Sequence, residues 1–174
     1  MNPSPARFDL RRALPEDVPL LLELIHGLAE YERLTHLFEC TPERLHTGLF
    51  GETPATQAII AWTGGQDAPA AAGFALYFNN FSTFLGRRGL YLEDLFVLPA
   101  YRGQGCGTAL LATLARIAHE TGCGRFEWSV LDWNADAQRF YERLGATVLP
   151  DWRVVRMTGD ALAALAASPA GHAL

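Results

Sequence analysis

Leu92-Glu93-Asp94-Leu95-Phe96-Val97-Leu98-Pro99-Ala100-Tyr101-Arg102-Gly103-Gln104-Gly105-Cys106-Gly107-Thr108 is the stretch whose reading decides the fold. A mostly apolar run carrying two carboxylates closes at Pro99, and glycines then stand at 103, 105 and 107. Beyond them Leu110, Leu111, Leu114, Ile117 and Ala118 recur at helical spacing. The pattern predicts a strand over Leu90–Leu98, a glycine-rich turn, and a helix over Thr108–Thr121 that Gly122 and Gly124 end. Glycines let a backbone approach a ligand closely, and a helix N-terminus aims unpaired N–H groups and partial positive charge at the same point. The physical reading is a pyrophosphate cradle, with Arg102 adding charge. A dinucleotide fingerprint needs a third glycine where Thr108 stands. A Walker A loop needs a lysine, and the chain has none. A glycine-rich turn without a ligand would look the same from this stretch alone.

Upstream, Arg7–Ala13 alternates and predicts a strand. Leu21, Leu24, Ile25, Leu28 and Tyr31 mark one face of a first helix whose opening turn holds Glu16 and Asp17. Thr41-Pro42 starts a second, short helix to about Leu49, ended by Gly51. Thr56–Trp62 and Ala71–Phe81 predict an antiparallel hairpin around Gly64-Gly65-Gln66-Asp67, and Gly86-Arg87-Arg88-Gly89 predicts the next turn. Downstream come a strand over Phe126–Leu131, a helix over Asp136–Leu144 closed by Gly145, a last strand over Trp152–Met157, and an Ala-rich helix over Asp160–Ala167. The order is βααβββαβαβ(α). The spacing from Leu90 to Leu131 suits a parallel crossover. The fold class is therefore α/β (α+β): one domain, a mixed, mostly antiparallel sheet with helices on both faces. That domain spans 7–167, with 1–6 and 168–174 expected to be flexible.

With 174 residues, the chain can bury roughly 70% of its unfolded surface and needs no disulfide or metal to fold. It is 49% hydrophobic and 19% charged, with a formal charge of −5, which argues against a nucleic-acid binder. No apolar run approaches a membrane span, and no secretory signal precedes Arg12, so a cytoplasmic location is expected. All 14 basic side chains are arginines, which excludes Schiff-base lysine chemistry. Cys40, Cys106 and Cys123 form no disulfide pattern, and the five histidines lack ligand spacing, so no metal site is expected.

Arg102-Gly103-Gln104-Gly105-Cys106-Gly107 resembles the R/Q-x-x-G-x-G/A phosphate motif of the GNAT acetyltransferases. Asn134-Ala135-Asp136-Ala137 followed by Phe140-Tyr141-Glu142-Arg143-Leu144-Gly145-Ala146 resembles the same family's second motif, in the right order and at the right spacing. Leu28-Ala29-Glu30-Tyr31-Glu32, Leu90-Tyr91-Leu92-Glu93-Asp94 and Val130-Leu131-Asp132-Trp133-Asn134 resemble segments of the diamine acetyltransferase branch, which holds spermidine/spermine and thialysine-type members. The likeness covers roughly residues 7 to 165.

That resemblance implies a GNAT fold and acetyl transfer from acetyl-CoA to a primary amine on a small molecule, by direct transfer in a ternary complex. It implies Tyr141 as general acid toward the thioester sulfur, and Glu93 as the group that relieves the amine of its proton through water. Keeping a pKa 10.4 amine neutral at pH 7 costs about 4.6 kcal/mol, which is why the site needs such a group. Leu95, Phe96 and Val97 would pair their backbone with the pantetheine arm. Arg102, Gly103, Gln104, Gly105, Cys106, Gly107 and Thr108 would hold the phosphates. Asn134, Asp136 and Ala137, at the start of the following helix, would close over the cofactor, although Asn134 also reads as an N-cap. Tyr31, Glu32, Glu93, Asp94 and Trp152 would face the acceptor. Adjacent on a strand, Glu93 and Asp94 should point to opposite faces. Cys106 reads as packing, and His119 as surface. The loop Asn80–Gly86 and the short Pro150-Asp151-Trp152 lack the acidic groups of polyamine-specific members, which favours thialysine or another small amine over spermidine. A homodimer is expected on the same ground. The rival functions are a protein or peptide N-acetyltransferase on this fold and a non-catalytic acyl-CoA-binding module.

Overall fold

Residues 7–64 and 68–168 are described by the structure, a computed structural model. The ends expected to be flexible lie outside them except for Ser168, as does most of the Gly64–Asp67 turn. Two compact units are formed, one through Ser129 and one from Val130.

The first unit is built on five strands in sequence order: β1 (Phe8–Arg12), β2 (Gln57–Thr63), β3 (Ala71–Ser82), β4 (Arg87–Val97) and β5 (Phe126–Trp128). The first four pair antiparallel, and β4 pairs parallel with β5. Helix α1 (Val18–Glu32) and helix α2 (Pro42–Phe50) bury Leu21, Leu24, Leu28, Leu45 and Leu49 against Ala58, Ile60, Phe74, Leu76 and Phe96 on one face of the sheet. The alternate strand residues Ile59, Ala75, Leu90 and Leu92 are buried on the other face, where α3 (Cys106–Glu120) packs across β1 to β4 with Leu110 and Leu114 inward. Helices on both faces of a mixed sheet are what the sequence pattern predicts. Among the described residues no helix is long and apolar enough to cross a membrane.

Three details differ from the sequence expectation. The turn between β3 and β4 spans residues 83–86, not 86–89. Gly86 takes φ 61°, and Ser82 Oγ accepts from the Leu85 N–H, so the tight loop closes earlier and Arg87 joins the ladder opposite Ser82. Strand β5 stops at Trp128 instead of Leu131. The expected last strand over Trp152–Met157 does not form. A strand needs a ladder partner, and β-branched residues alone do not supply one. The second unit therefore contains α4 (Ala135–Arg143), α5 (Gly159–Ala166) and an irregular segment between them in which Trp152, Val154 and Val155 are exposed.

Gly73 shows how tightly the sheet center is packed. An ideal Cβ there would lie 2.3 Å from the Phe96 carbonyl oxygen. Gly73→Ala should lower the unfolding free energy by roughly 1–3 kcal/mol, read as a lower urea midpoint at unchanged slope.

Candidate active site

The cradle forms as the glycine spacing demands. Gly103 and Gly105 take φ 68° and 89°, conformations that side chains resist, and open space faces the Cβ position of each. Gly105 caps α3, whose first intrahelical bond runs from Ala109 N–H to the Gly105 carbonyl. The N–H groups at 105–108 precede that bond and are the helix's orphan donors. Positive-φ glycines, orphan donors and open space fit a pyrophosphate. Gln104 Nε2 donates to the Ala100 carbonyl at 2.7 Å and braces the loop. Cys106 is buried, and burial pushes its thiol up to about 11, so it packs and is no nucleophile at neutral pH. His119 is exposed, as expected.

Arg102 turns back onto the protein. Its Nε donates to the Val97 carbonyl at 2.9 Å, and its guanidinium lies over the Tyr31 ring at 4.7 Å and near the Phe96 ring at 5.7 Å. One cation thus ties the cradle to the end of β4 and to the end of α1. The Phe96 side chain itself belongs to the core, leaving only its backbone for a ligand.

Strand β4 carries the decisive irregularity. Leu76 pairs with Asp94 and Tyr77 with Leu92, so Glu93 has no opposite number. It is a β-bulge, one extra residue that breaks the alternation and bends the strand. The strict alternation behind the expectation that Glu93 and Asp94 occupy opposite faces is therefore broken at this point. Asp94, opposite Leu76, lies on the α1 face and feels the charges of both Glu93 and Glu32. The ladder to β5 ends at Leu92–Trp128, the residue before the bulge, and from there to Val97 the ladder bonds of β4 run to β3 alone.

Burial, then the Glu93 and Glu32 charges, push the Asp94 carboxyl from 3.8 up to about 6. Burial also raises Glu32. Glu32 ends α1, and the next residue, Arg33, closes the helix in the left-handed region at φ 61°. A non-glycine residue held there is strained, and nothing in the sequence pattern announces it. Among the described residues no group of three or more His, Cys, Asp or Glu side chains could hold a metal.

In the second unit, Asn134 caps α4, its side chain accepting from the Ala137 N–H at 3.2 Å. The Asp136 carboxylate takes a bond from Arg139 on the same helix. Tyr141 is half-buried, its ring 5.4 Å from Phe140. Trp152 is exposed on the irregular segment.

The sequence profile of the acetyltransferase (GNAT) family matches residues 22–146, cradle and α4 included. The chain belongs to that family. A thialysine Nε-acetyltransferase of Bos taurus is 38% identical over 90% of this chain and 96% of its own. An L-ornithine N5-acetyltransferase of Arabidopsis thaliana is 37% identical over 90% of this chain and 86% of its own. An integron cassette protein from the V. cholerae mobile metagenome superposes with a TM-score of 0.76 at 26% identity, covering 94% of this chain and 99% of that one. The chain is thus an N-acetyltransferase of a family that uses acetyl-CoA, and its α/β architecture is the family's.

Asp94 makes a pH prediction. Its folded pKa is raised, so the destabilisation it causes is absent below about 4, grows as pH rises and is complete above about 6. Asp94→Asn should raise stability at pH 7.5 by on the order of 2 kcal/mol and change little at pH 3.5, read as the shift in thermal midpoint at the two pH values. An equal shift at both would assign the effect to packing.

Proposed function

We propose that this enzyme moves acetyl from acetyl-CoA to the side-chain amine of a small amino acid or diamine, by direct transfer in a ternary complex. The observation that carries the reading is the gathering of Glu32, Glu93 and Asp94 at the β4 bulge, where the strand's β5-side edge is no longer paired and the chain leads on into the cradle. Carboxylates attract a cationic amine, and the relatives named for ornithine and thialysine act on such amines.

Acetyl-CoA supplies a reactive thioester. Its phosphates are assigned to the N–H groups and glycines of residues 102–108, and its extended arm to the backbone of Leu95, Phe96 and Val97, in the manner of an added strand. Because Arg102 already occupies the Val97 carbonyl, it acts by fixing the edge and the loop together. Asn134, Asp136 and Ala137, at the start of α4, are assigned to cofactor binding. Tyr31 and Glu32 border the amine, Tyr31 with one ring face taken by Arg102. Trp152 is assigned to the outer part of the acceptor site.

Two proton movements complete the chemistry. Glu93, exposed at the bulge, draws the proton from the ammonium through water, and Asp94 and Glu32 hold the positive charge nearby. The Tyr141 hydroxyl then protonates the departing thiolate. The two units act as one acetyltransferase domain over 7–167, a reading supported by a family match that runs across both. The exposed apolar run Val148, Leu149, Trp152, Val154 and Val155 supports the homodimer implied by resemblance.

Thiol release from acetyl-CoA at pH 8, with thialysine, ornithine, putrescine, spermidine and a peptide amine, tests the reading. Release with the small amines and little with spermidine or peptide is expected. Tyr141→Phe should retain CoA binding and lose at least about tenfold in turnover, and Glu93→Gln a similar factor that shrinks as pH rises. CoA binding with no release to any amine would favour a binding module instead.

A further inference from the structure

The acetyl-transfer reading accounts for the bulge end of the α1 face and leaves its other end unexplained. From Leu76 to Ser82 strand β3 has no extra residue of its own, so Leu76, Phe78 and Asn80 share one face. Their partners Asp94, Tyr91 and Gly89 lie on it too, and so does Glu127, which pairs with Tyr91. Ser129 and Arg125 join them. Tyr91 Oη lies 2.8 Å from Ser129 Oγ, and the Arg125 side chain fills the space over Gly89. A stripe therefore runs from the carboxylates at the bulge, past the Phe78 and Tyr91 rings 5.2 Å apart, to Asn80, Glu127 and Arg125.

The far end of this stripe is a built cluster. Gly89 makes it possible, because a Cβ there would stand 2.3 Å from Asn80 Oδ1 and 3.0 Å from Arg125 Cγ. Glu127 Oε2 takes Asn80 Nδ2 at 3.2 Å and sits 2.7 Å from Arg125 Nε. Both interactions converge on one carboxylate oxygen. Among the described residues Glu127 Oε1 and the two terminal nitrogens of Arg125 have no partner, and Asn80 Oδ1 is buried without one. The Arg125 and Glu127 side chains remain 37% and 34% exposed, so a solute can reach them. Arg125 and Glu127 stand two residues apart on the same segment and meet through one nitrogen and one oxygen. The pair presents a guanidinium fork and a carboxylate oxygen side by side.

The geometry points to a head-group subsite for an α-amino acid. The α-carboxylate takes the free edge of Arg125, and the α-ammonium takes Glu127 Oε1 beside Asn80. The inference rests on the proposal that the enzyme acetylates a small amine, and it names which kind: an amino acid with a side-chain amine, in preference to the plain diamine. The spacing agrees. Two residues of β3 separate the Glu127 row from the Asp94 row, about 7 Å along the strands, and the two residues lie one strand, about 5 Å, apart. The two nitrogens of an extended ornithine or lysine are roughly 6–8 Å apart by ordinary bond lengths. With the head group on Arg125 and Glu127, the methylenes cross the two rings and the terminal amine reaches Glu93 and Asp94.

The test compares ornithine with putrescine, which is ornithine without its carboxylate, on the intact enzyme. Arg125→Gln should raise the KM for ornithine by about tenfold or more without lowering kcat/KM for putrescine, while Arg125→Lys restores part of the loss. A parallel fall with both substrates, or with neither, would overturn the subsite and leave a structural ion pair. If the wild type acetylates neither amine, the acetyl-transfer reading fails by itself. Calorimetric binding of ornithine to wild type and Arg125→Gln then decides the subsite: binding lost in the variant supports it, and equal or absent binding overturns it.

Discussion

One extra residue in one strand governs this structure. Glu93 has no partner across β3, and that single insertion bends β4, ends its ladder with β5 and moves a second carboxylate to the α1 face. Without the bulge β4 would alternate strictly, Asp94 and Glu93 would be separated by the sheet, and the strand could go on pairing with its neighbour. With it, the strand offers an unpaired edge and an acidic cluster at the same place. The cradle then follows within ten residues of chain, so the groups suited to an acyl donor and to an amine acceptor are set by one continuous segment.

The arrangement stores unfavourable electrostatics. Burial first, and then the approach of Glu93 and Glu32, push the Asp94 carboxyl up to about 6. On the proposed function a bound ammonium would relieve that repulsion, so part of the substrate's affinity would be prepared in the free protein. Arg102 keeps the arrangement rigid without neutralising it. Its guanidinium faces Tyr31 and Phe96 and its Nε holds Val97, so its charge lies on the cradle side of the acidic group. Arg33, held at positive φ, ends α1 so that Glu32 stays at its last turn.

Much of this was legible in the sequence, and the failures share a cause. Periodicity located α1, α2 and α3 and all five strands, β5 with its end set three residues too late, because each has an apolar face with a clear period and a capping or glycine signal at its ends. Gly103, Gly105 and the Asn134 cap could be read for the same local reason. What periodicity cannot register is an insertion. Leu92-Glu93-Asp94-Leu95 reads as ordinary alternation with one polar slip, and only the register of the neighbouring strand reveals two residues where one is expected. Trp152–Met157 failed in the opposite direction: the residues favour a strand, but a strand exists only with a partner, which no local pattern reports. Arg125 and Glu127 carry no signal as sequence, where they are two charges flanking Phe126 in a short strand.

The two ends of the α1-face stripe also explain what the site would reject. An acidic cluster alone would favour the most highly charged amine available, and a polyamine would outbid an amino acid. A cationic group at the far end reverses that order. Spermidine, extended along the stripe, would bring a second or third ammonium up to the Arg125 guanidinium, where like charges repel, whereas an amino acid brings a carboxylate. On the proposed subsite, selectivity for the smaller, less charged acceptor would come from a repulsive element at one end and an attractive one at the other, with Glu127 beside Arg125 to hold the α-ammonium. The lack of any acidic residue in the Asn80–Gly86 loop acts in the same direction, since nothing there offsets the arginine.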